Sequence, residues 1–430
     1  MFNKKISRRV FLKNKLIKSF MIPVSFPFLF NKDQVSAFKN EALDKNIEGF
    51  NWENIKYEYS LDPTRSYFNY GSLGLCPKSV SDAECRKHRS LETTGLHDHK
   101  FIEEVRESIS SFLNVSLSEI AITRNTTEGM NIIANGLRLK KDDEVVLTSD
   151  EHIGGVAPWL LLKKTLGIKI KVVKINPKGK GNFAAIQSAI TTKTRVVLIS
   201  HITCTTGTVL PVNEIISICK QKNIYSVIDG AQALGMIPVD LEDIDPDFYC
   251  GSGHKWMGGP KETGILFVNK KQQETLKPLF VGAYSDSHYD LQELEMEVKQ
   301  STSRVEYGTR SLSTAAGLKE SIDFMNNIGL EKIFERCREL ACHFRDQIAS
   351  HPNIDILSPT DKRYSSAIVT FKIKNMDNLS VPTDLLQNHR TSIRGIHENN
   401  YNALRASFHI QNSKKEVDGL VNLILAKASE

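Results

Sequence analysis

An apolar run in this chain ends in Asp229. Gln232 follows, and further on a Gly-Ser-Gly-His-Lys turn ends at Lys255. An amine and a carboxylate placed this way suit a particular chemistry. A lysine condenses with an aldehyde, and an acid keeps a pyridine nitrogen protonated so that the ring can accept electrons. Asp229 closes a strand-like run over 224–228, and open α/β sheets present ligand groups beyond the carboxyl ends of their strands. Lys255 follows Gly251 and Gly253, whose freedom lets the turn carry its amine over a ring. Singly, each residue has a plainer reading: an Asp after a strand caps the next helix, and a Lys in a glycine-rich turn is solvated. Together they point to pyridoxal phosphate (PLP) as cofactor.

Three more polar clusters fall at strand ends. Thr-Arg-Asn-Thr-Thr-Glu-Gly at 123–129 follows a short strand and opens a helix pattern, where free N–H groups and the hydroxyls of Thr126 and Thr127 suit a phosphate. Alone, it reads as an ordinary Thr cap. Ser149-Asp150-Glu151-His152 ends the next strand, and His152 is positioned to lie flat on a cofactor ring. His201 to Gly207 follows a third strand. Ser252 and His254 flank the lysine turn and are placed for the phosphate. Polar groups converging on one sheet edge are what an α/β active site requires.

The scaffold follows from periodicity. Strand patterns at 144–148, 168–174, 195–200, 224–228, 248–250 and 264–268 alternate with helix patterns at 158–166, 183–189 and 212–220. Val- and Ile-rich strands separated by amphipathic helices predict a mostly parallel sheet covered on both faces. From Thr314 the period changes. Helices at 315–328 and 330–349, strands at 354–357, 367–373, 392–395 and 404–410, and a last helix at 415–428 predict a smaller α+β domain. The polar stretch 282–303 lacks periodicity and reads as a long loop.

The net charge of +6 is concentrated at one end. Residues 1–37 hold eight Lys or Arg against Asp33 alone, which leaves −1 for the rest and no global basic footprint for nucleic acid. Ser7-Arg8-Arg9-Val10-Phe11-Leu12-Lys13 matches the twin-arginine export pattern. An apolar stretch at 20–30 and Val35-Ser36-Ala37 complete the anatomy of a removable signal peptide. The expectation is export to the periplasm by the twin-arginine translocase, as a folded protein. Seven cysteines without a Cys-x-x-Cys spacing indicate neither zinc nor a fully paired disulfide framework. His97-Asp98-His99 lacks a third ligand and reads as a solvated edge.

The order Thr-Thr-Glu (126–128), Glu-His (151–152), His-x5-Gly (201–207), Asp-Gly-Ala-Gln-Ala (229–233), Ser-Gly-His-Lys (252–255) and Gly-Thr-Arg (308–310) resembles the class V aminotransferase family of fold-type I PLP enzymes. The resemblance spans nearly the whole chain after residue 37. The export signal, Tyr307 to Arg310 and Leu404-Arg405-Ala406-Ser407 resemble its isopenicillin N epimerase-like branch most. The resemblance implies an α/β fold-type I transferase: a signal peptide at 1–37, an N-terminal segment at 38–75, a large PLP-binding domain at 76–313 and a small C-terminal domain at 314–430.

It also implies roles. Lys255 is expected as the Schiff-base lysine, Asp229 as the pyridinium partner, Gln232 on the phenolic oxygen and His152 stacked on the ring. Thr126, Thr127, Ser252 and His254 are expected on the phosphate, with Thr309 reaching it from the other subunit of a homodimer with composite sites. Arg405 is expected on the α-carboxylate of an amino-acid substrate, a bidentate task suited to a guanidinium, with Asn69 beside it. The expected reaction is Cα deprotonation leading to epimerisation, with an aminotransferase or a β-eliminating lyase as alternatives. Two departures set cysteine desulfurases aside: Cys204 stands where they usually carry Asn, and no cysteine follows Cys342. Intact Lys255 and Asp229 argue against a noncatalytic exported binding protein.

Overall fold

A computed structural model describes residues 51–96 and 98–430. The signal peptide read at 1–37, the first part of the 38–75 segment and His97 lie outside the described residues. Among the described residues no helix is long and apolar enough to cross a membrane, and no cluster of three or more His, Cys, Asp or Glu could hold a metal ion.

Seven strands make the central sheet: β1 (Ile120–Thr123), β2 (Glu144–Thr148), β3 (Lys169–Val173), β4 (Thr194–Ser200), β5 (Tyr225–Asp229), β6 (Phe248–Ser252) and β7 (Gly264–Val268). Their order is β1-β7-β6-β5-β4-β2-β3. β2 pairs parallel with β3 and β4, β4 with β5, and β5 with β6. Only β7 opposes its neighbours, β1 and β6. The central strands read as near-continuous apolar runs because both faces are covered: every residue of β6 and β7 is buried.

The helix α1 (Thr126–Gly136) begins at the end of β1, capped by Asn125, whose Oδ1 accepts from Glu128 N at 2.9 Å. The helix α2 (Ile153–Thr165) starts earlier than the sequence predicts, with Pro158 inside it. His152 is the reason: its Nδ1 accepts from Gly154 N at 3.1 Å and caps the first turn. The stretch expected as a loop holds a hairpin, β8 (Asp286–Asp290) against β9 (Glu295–Val298). Its Tyr289, Leu291, Leu294 and Met296 are exposed. A ribbon without a core face has no buried side to impose alternation, so it left no period-two signal.

Beyond the helices α3 (Leu312–Ile328) and α4 (Leu330–Ile348), a four-stranded antiparallel sheet forms. Its strands are β10 (Ile354–Ile356), β11 (Ile368–Ile373), β12 (Arg394–Ile396) and β13 (Ala403–Ser407), in the order β10-β11-β13-β12. The closing helix α5 (Lys414–Ser429) carries a reciprocal cap between Ser413 and Glu416. Phe344, Phe371, Phe408 and Leu420 fill the core between sheet and helices. Phe68 joins them, its ring 5.5 Å from Phe408. That contact staples the segment before the large sheet onto the small one. Ser407 N donates to Phe68 O at 2.8 Å and Gly71 N to Ser407 Oγ at 3.0 Å, which lays residues 69–72 alongside β13.

Candidate active site

The carboxyl ends of β1, β2, β4, β5 and β6 open into one cavity of about 460 Å³. Asp229, His152, Gln232, Lys255, Cys204, Thr126, Thr127, Ser252 and His254 all line it. A larger cleft of about 820 Å³, lined by Asn114, Glu119, Asp245 and Lys270 among others, gathers none of these groups.

Asp229 is the last residue of β5, and its Oδ1 accepts from Ala231 N at 2.9 Å. Burial pushes its carboxyl up; the Ala231 N–H and the charges of Lys255 and His152 pull it back. The Lys255 amine is pushed down by burial, against the opposing pull of Asp229. Its turn is pinned by backbone bonds: Gly253 N to Thr263 O at 2.9 Å, Gly258 N to Lys255 O at 3.0 Å and Gly259 N to Gly253 O at 2.8 Å. Gln232 is clamped at both ends, donating to Gly71 O at 2.8 Å and accepting from Trp256 Nε1 at 2.8 Å. One Gln232 N–H remains for a further acceptor.

The hydroxyls of Thr126 and Ser252 meet at 2.7 Å over the first turn of α1. His254 Nδ1 donates to Thr263 O at 3.1 Å, which leaves its Nε2 as the free acceptor of the neutral ring. Burial lowers the His254 and His152 imidazoles, and the Lys255 charge lowers both further. Gly154 and Gly155 keep this part of the cavity clear. A Cβ on Gly154 would stand 2.4 Å from Thr127 Oγ1, and one on Gly155 3.2 Å from Asp229 Oδ2.

Glu151 ties β2 to β4, accepting from Thr148 Oγ1 at 2.5 Å and Ser200 Oγ at 2.6 Å. Cys204 is buried, its thiol pushed up to about 11 by burial against the pull of Arg405 and Lys255.

Arg405 sits in the middle of β13, fully buried. Its Nη1 donates to Cys204 O at 2.7 Å, and its Nη2 to Ser72 Oγ at 2.8 Å and Asn69 Oδ1 at 3.3 Å. All three partners are neutral, and its Nε has none. A buried guanidinium without an acid calls for an anionic ligand. Neither Arg405 nor Asn69 is among the cavity-lining residues; Arg405 reaches the lining through Cys204 O and Ser72 Oγ. Thr309 lies apart, in a recess of about 330 Å³ shared with Arg124, Tyr307 and Arg310.

Sequence reasoning gave no role to Arg394 or Trp256, and Ser72, part of the Asn69–Ser72 segment that resembles the family's substrate side, holds Arg405. Arg394 lines the cavity and pairs with Glu398. The strand pattern at 392–395 held Arg394, but only its register against Arg405 shows where the side chain stands.

The residues present fit the expected cofactor. An acid and a depressed lysine share the cavity, paired hydroxyls sit at a helix N-terminus, and two glycines hold open a space that side chains would fill.

The family model described as Aminotransferase class-V matches residues 77–420. A probable cysteine desulfurase of Methanothermobacter thermautotrophicus is 32% identical over 329 residues, covering 74% of this chain and 81% of that protein. Among solved structures, the apo cysteine desulfurase of Thermococcus onnurineus aligns with a TM-score of 0.81 at 24% identity, over 88% of this chain and 98% of its own. A C-DES mutant with glycine covalently linked to its PLP cofactor aligns with a TM-score of 0.80 at 23% identity, over 87% and 99%. The mostly parallel sheet with its covering helices is thus the fold-type I PLP-enzyme fold.

These relatives overturn the epimerase-like expectation, the isomerase class that went with it, and the setting aside of cysteine desulfurases. The quoted motifs surround the cofactor, and cofactor-binding groups do not distinguish reactions. The absence of a cysteine after Cys342 bears on where sulfur goes next, not on which bond the cavity breaks.

Proposed function

The chain belongs to the class-V aminotransferase family, with PLP as its cofactor, and on that premise we propose that it is a cysteine desulfurase, releasing sulfur from L-cysteine or a close derivative. The observation that carries this reading is the convergence of Lys255 and Asp229 on one cavity, with Arg405 bonded to the lining residues Cys204 and Ser72, in a chain related to cysteine desulfurases.

Bound PLP supplies an electrophilic carbon for the substrate amine and a ring that accepts the electron pair left at Cα. Lys255 would hold the cofactor and move the Cα proton; its lowered amine is a proton acceptor nearer neutrality than a solvated lysine. Asp229, buried at the end of β5, would hold the proton on the pyridine nitrogen. Gln232 would give its remaining N–H to the phenolic oxygen, and His152 would lie against the ring. Thr126, Thr127 and Ser252 would donate to the phosphate, and His254 would join them by carrying a proton on Nε2. Arg405, with Asn69 and Ser72 orienting it, binds the α-carboxylate.

Cys204 is the one cysteine among the lining residues, and with a thiol pushed up to about 11 it stays protonated near neutral pH. The sulfur therefore passes to a small external thiol: the Cβ–S bond breaks, a persulfide forms on the acceptor, and Cβ takes the electron pair and a proton to give alanine. Homodimerisation, with Thr309 and Arg310 offered to a partner's cavity, and export by residues 1–37 belong to the same proposal. The exposed Leu279, Phe280 and Tyr307 beside that recess support the first.

The test incubates holoenzyme with L-cysteine and dithiothreitol, with Lys255→Ala as control. Sulfide and alanine are expected in equal amounts from the wild type alone. Turnover without sulfide, or sulfide accompanied by pyruvate in place of alanine, counts against the reading.

A further inference from the structure

The carbonyl of Trp256, the residue after Lys255, is held from the small sheet. Just past the end of β13 stands His409, buried, with its Nε2 3.2 Å from Trp256 O. A carbonyl oxygen only accepts, so the ring proton sits on Nε2 and is donated to it. Nδ1, buried and without a hydrogen-bond partner, is then the bare acceptor, and no N–H is left unpaired. Burial keeps the ring neutral near pH 7.

The imidazole is fastened on several sides. Tyr70 stacks on it, centroids 4.1 Å apart and planes 8° from parallel, and the Trp256 indole lies 6.0 Å away. Its main chain is tied as well: His409 N donates to Asn412 Oδ1 at 3.0 Å, and Asn412 Nδ2 to Tyr67 O at 3.0 Å. Trp256 is therefore gripped twice, at its carbonyl by His409 and at its indole N–H by Gln232 Oε1. Filling a core asks only for a flat ring in the stack. Here the ring also carries a donor, and it spends that donor on the main chain beside Lys255.

We propose that His409 is a positioning residue for the cofactor lysine: its Nε2–H fixes the main chain that carries Lys255 and, through the Trp256 indole, turns the remaining Gln232 N–H into the cavity. The inference rests on Lys255 as the PLP lysine and not on the sulfur-releasing reaction. It has an optical consequence. A donor on the phenolic oxygen takes up charge that would otherwise hold the proton of the Lys255 nitrogen joined to the cofactor, and so lowers that nitrogen's proton affinity. Loosening Trp256 raises it.

Two variants of the holoenzyme test this, read by pH titration of the visible absorbance, with no turnover involved. His409→Phe keeps a ring in the stack and removes the donor. His409→Gln gives up the ring and brings an amide nitrogen to the place of Nε2. The midpoint is expected to rise by roughly half a unit to one unit in the phenylalanine variant, a threefold to tenfold change within the range of one hydrogen bond. In the glutamine variant it is expected to return to within about 0.3 units of the wild type. A ring that only fills the core gives the opposite order, unmoved with phenylalanine and shifted with glutamine, and that result overturns the proposal. An unmoved midpoint in both variants overturns it, and so does an equal shift in both, which would trace the effect to the lost imidazole rather than to its donor. Should neither variant fold, the wild-type holoenzyme decides: nitrogen NMR of labelled histidine is expected to show the His409 proton on Nε2, and a proton on Nδ1 overturns the proposal. Borohydride reduction and peptide mapping of the wild type separate the premise from the inference. PLP fixed to another lysine removes the assignment of Lys255 and the proposal with it, whereas PLP on Lys255 with an unmoved midpoint removes the proposal alone.

Discussion

Gly74 and Lys255 meet backbone to backbone. Gly74 N donates to His254 O at 2.9 Å, and a Cβ on Gly74 would stand 1.9 Å from Lys255 O. The obstacle is main chain, so no side chain can move aside. Gly74→Ala is expected to push the lysine turn away from Asp229 and to cost about 1–3 kcal/mol, the usual range for overpacking. Melting temperature and PLP content after borohydride reduction check this. An alanine variant with wild-type values of both would show that the turn is not seated on Gly74.

Asp229→Asn is expected to retain PLP while slowing solvent deuterium exchange at the substrate Cα by roughly a hundredfold or more, the scale of removing one preorganised electrostatic group. The amide keeps the shape and the Ala231 contact but cannot hold a charge opposite the pyridine nitrogen. Exchange at the wild-type rate would remove the role from Asp229.

Arg405→Leu is expected to spare PLP binding and to lower kcat/KM for amino acids. Truncating one partner of a buried charge pair costs about 2–5 kcal/mol. The loss is expected mainly in KM. Unchanged kinetics would place the carboxylate site elsewhere.

His409 makes part of the fold pH-sensitive. It is buried, stacked on Tyr70 at 4.1 Å, and its ring contacts Trp256 O at 3.2 Å. Burial pushes its imidazole down from 6.5 to about 3. Between those values the unfolded chain binds a proton that the folded chain does not, so stability falls as pH drops through that window, by up to about 1.4 kcal/mol per pH unit. Glu151 acts with the opposite sign: burial pushes its carboxyl up from 4.5 to about 7, so its contribution grows as pH falls through that range. The informative quantity is therefore a difference. Denaturant unfolding at pH 7.5 and 5.5 is expected to show His409→Phe losing about 1 kcal/mol less than the wild type on acidification. Equal losses would mean that His409 is protonated in the folded state.

The strand ends were legible because chemistry and periodicity coincide there: Asp229 ends an apolar run that reads as a strand, and Ser252 and Lys255 follow the strand pattern at 248–250 in a turn marked by glycines. Arg394 was not legible. Its place depends on the β12–β13 register across a connection with three left-handed asparagines, and hydrophobic pattern carries no trace of either. His152 was singled out as a ring-stacking candidate, while its capping of α2 was hidden by Pro158, which imitates a helix start further on. The reaction branch was the least legible part. Arg405 and the glycine-rich turn serve any amino-acid substrate, so the residues that stand out in the sequence are those that say least about which bond breaks.

Trp256 follows Lys255 in the chain, is fully buried, and donates its indole N–H to Gln232, a residue lining the cavity. Whatever fills that cavity changes the surroundings of this indole at once. The protein thus carries its own optical gauge. Emission from Trp256, isolated by replacing Trp52 and Trp159 with phenylalanine, would report cofactor loading and substrate entry continuously, with no label attached and no turnover required.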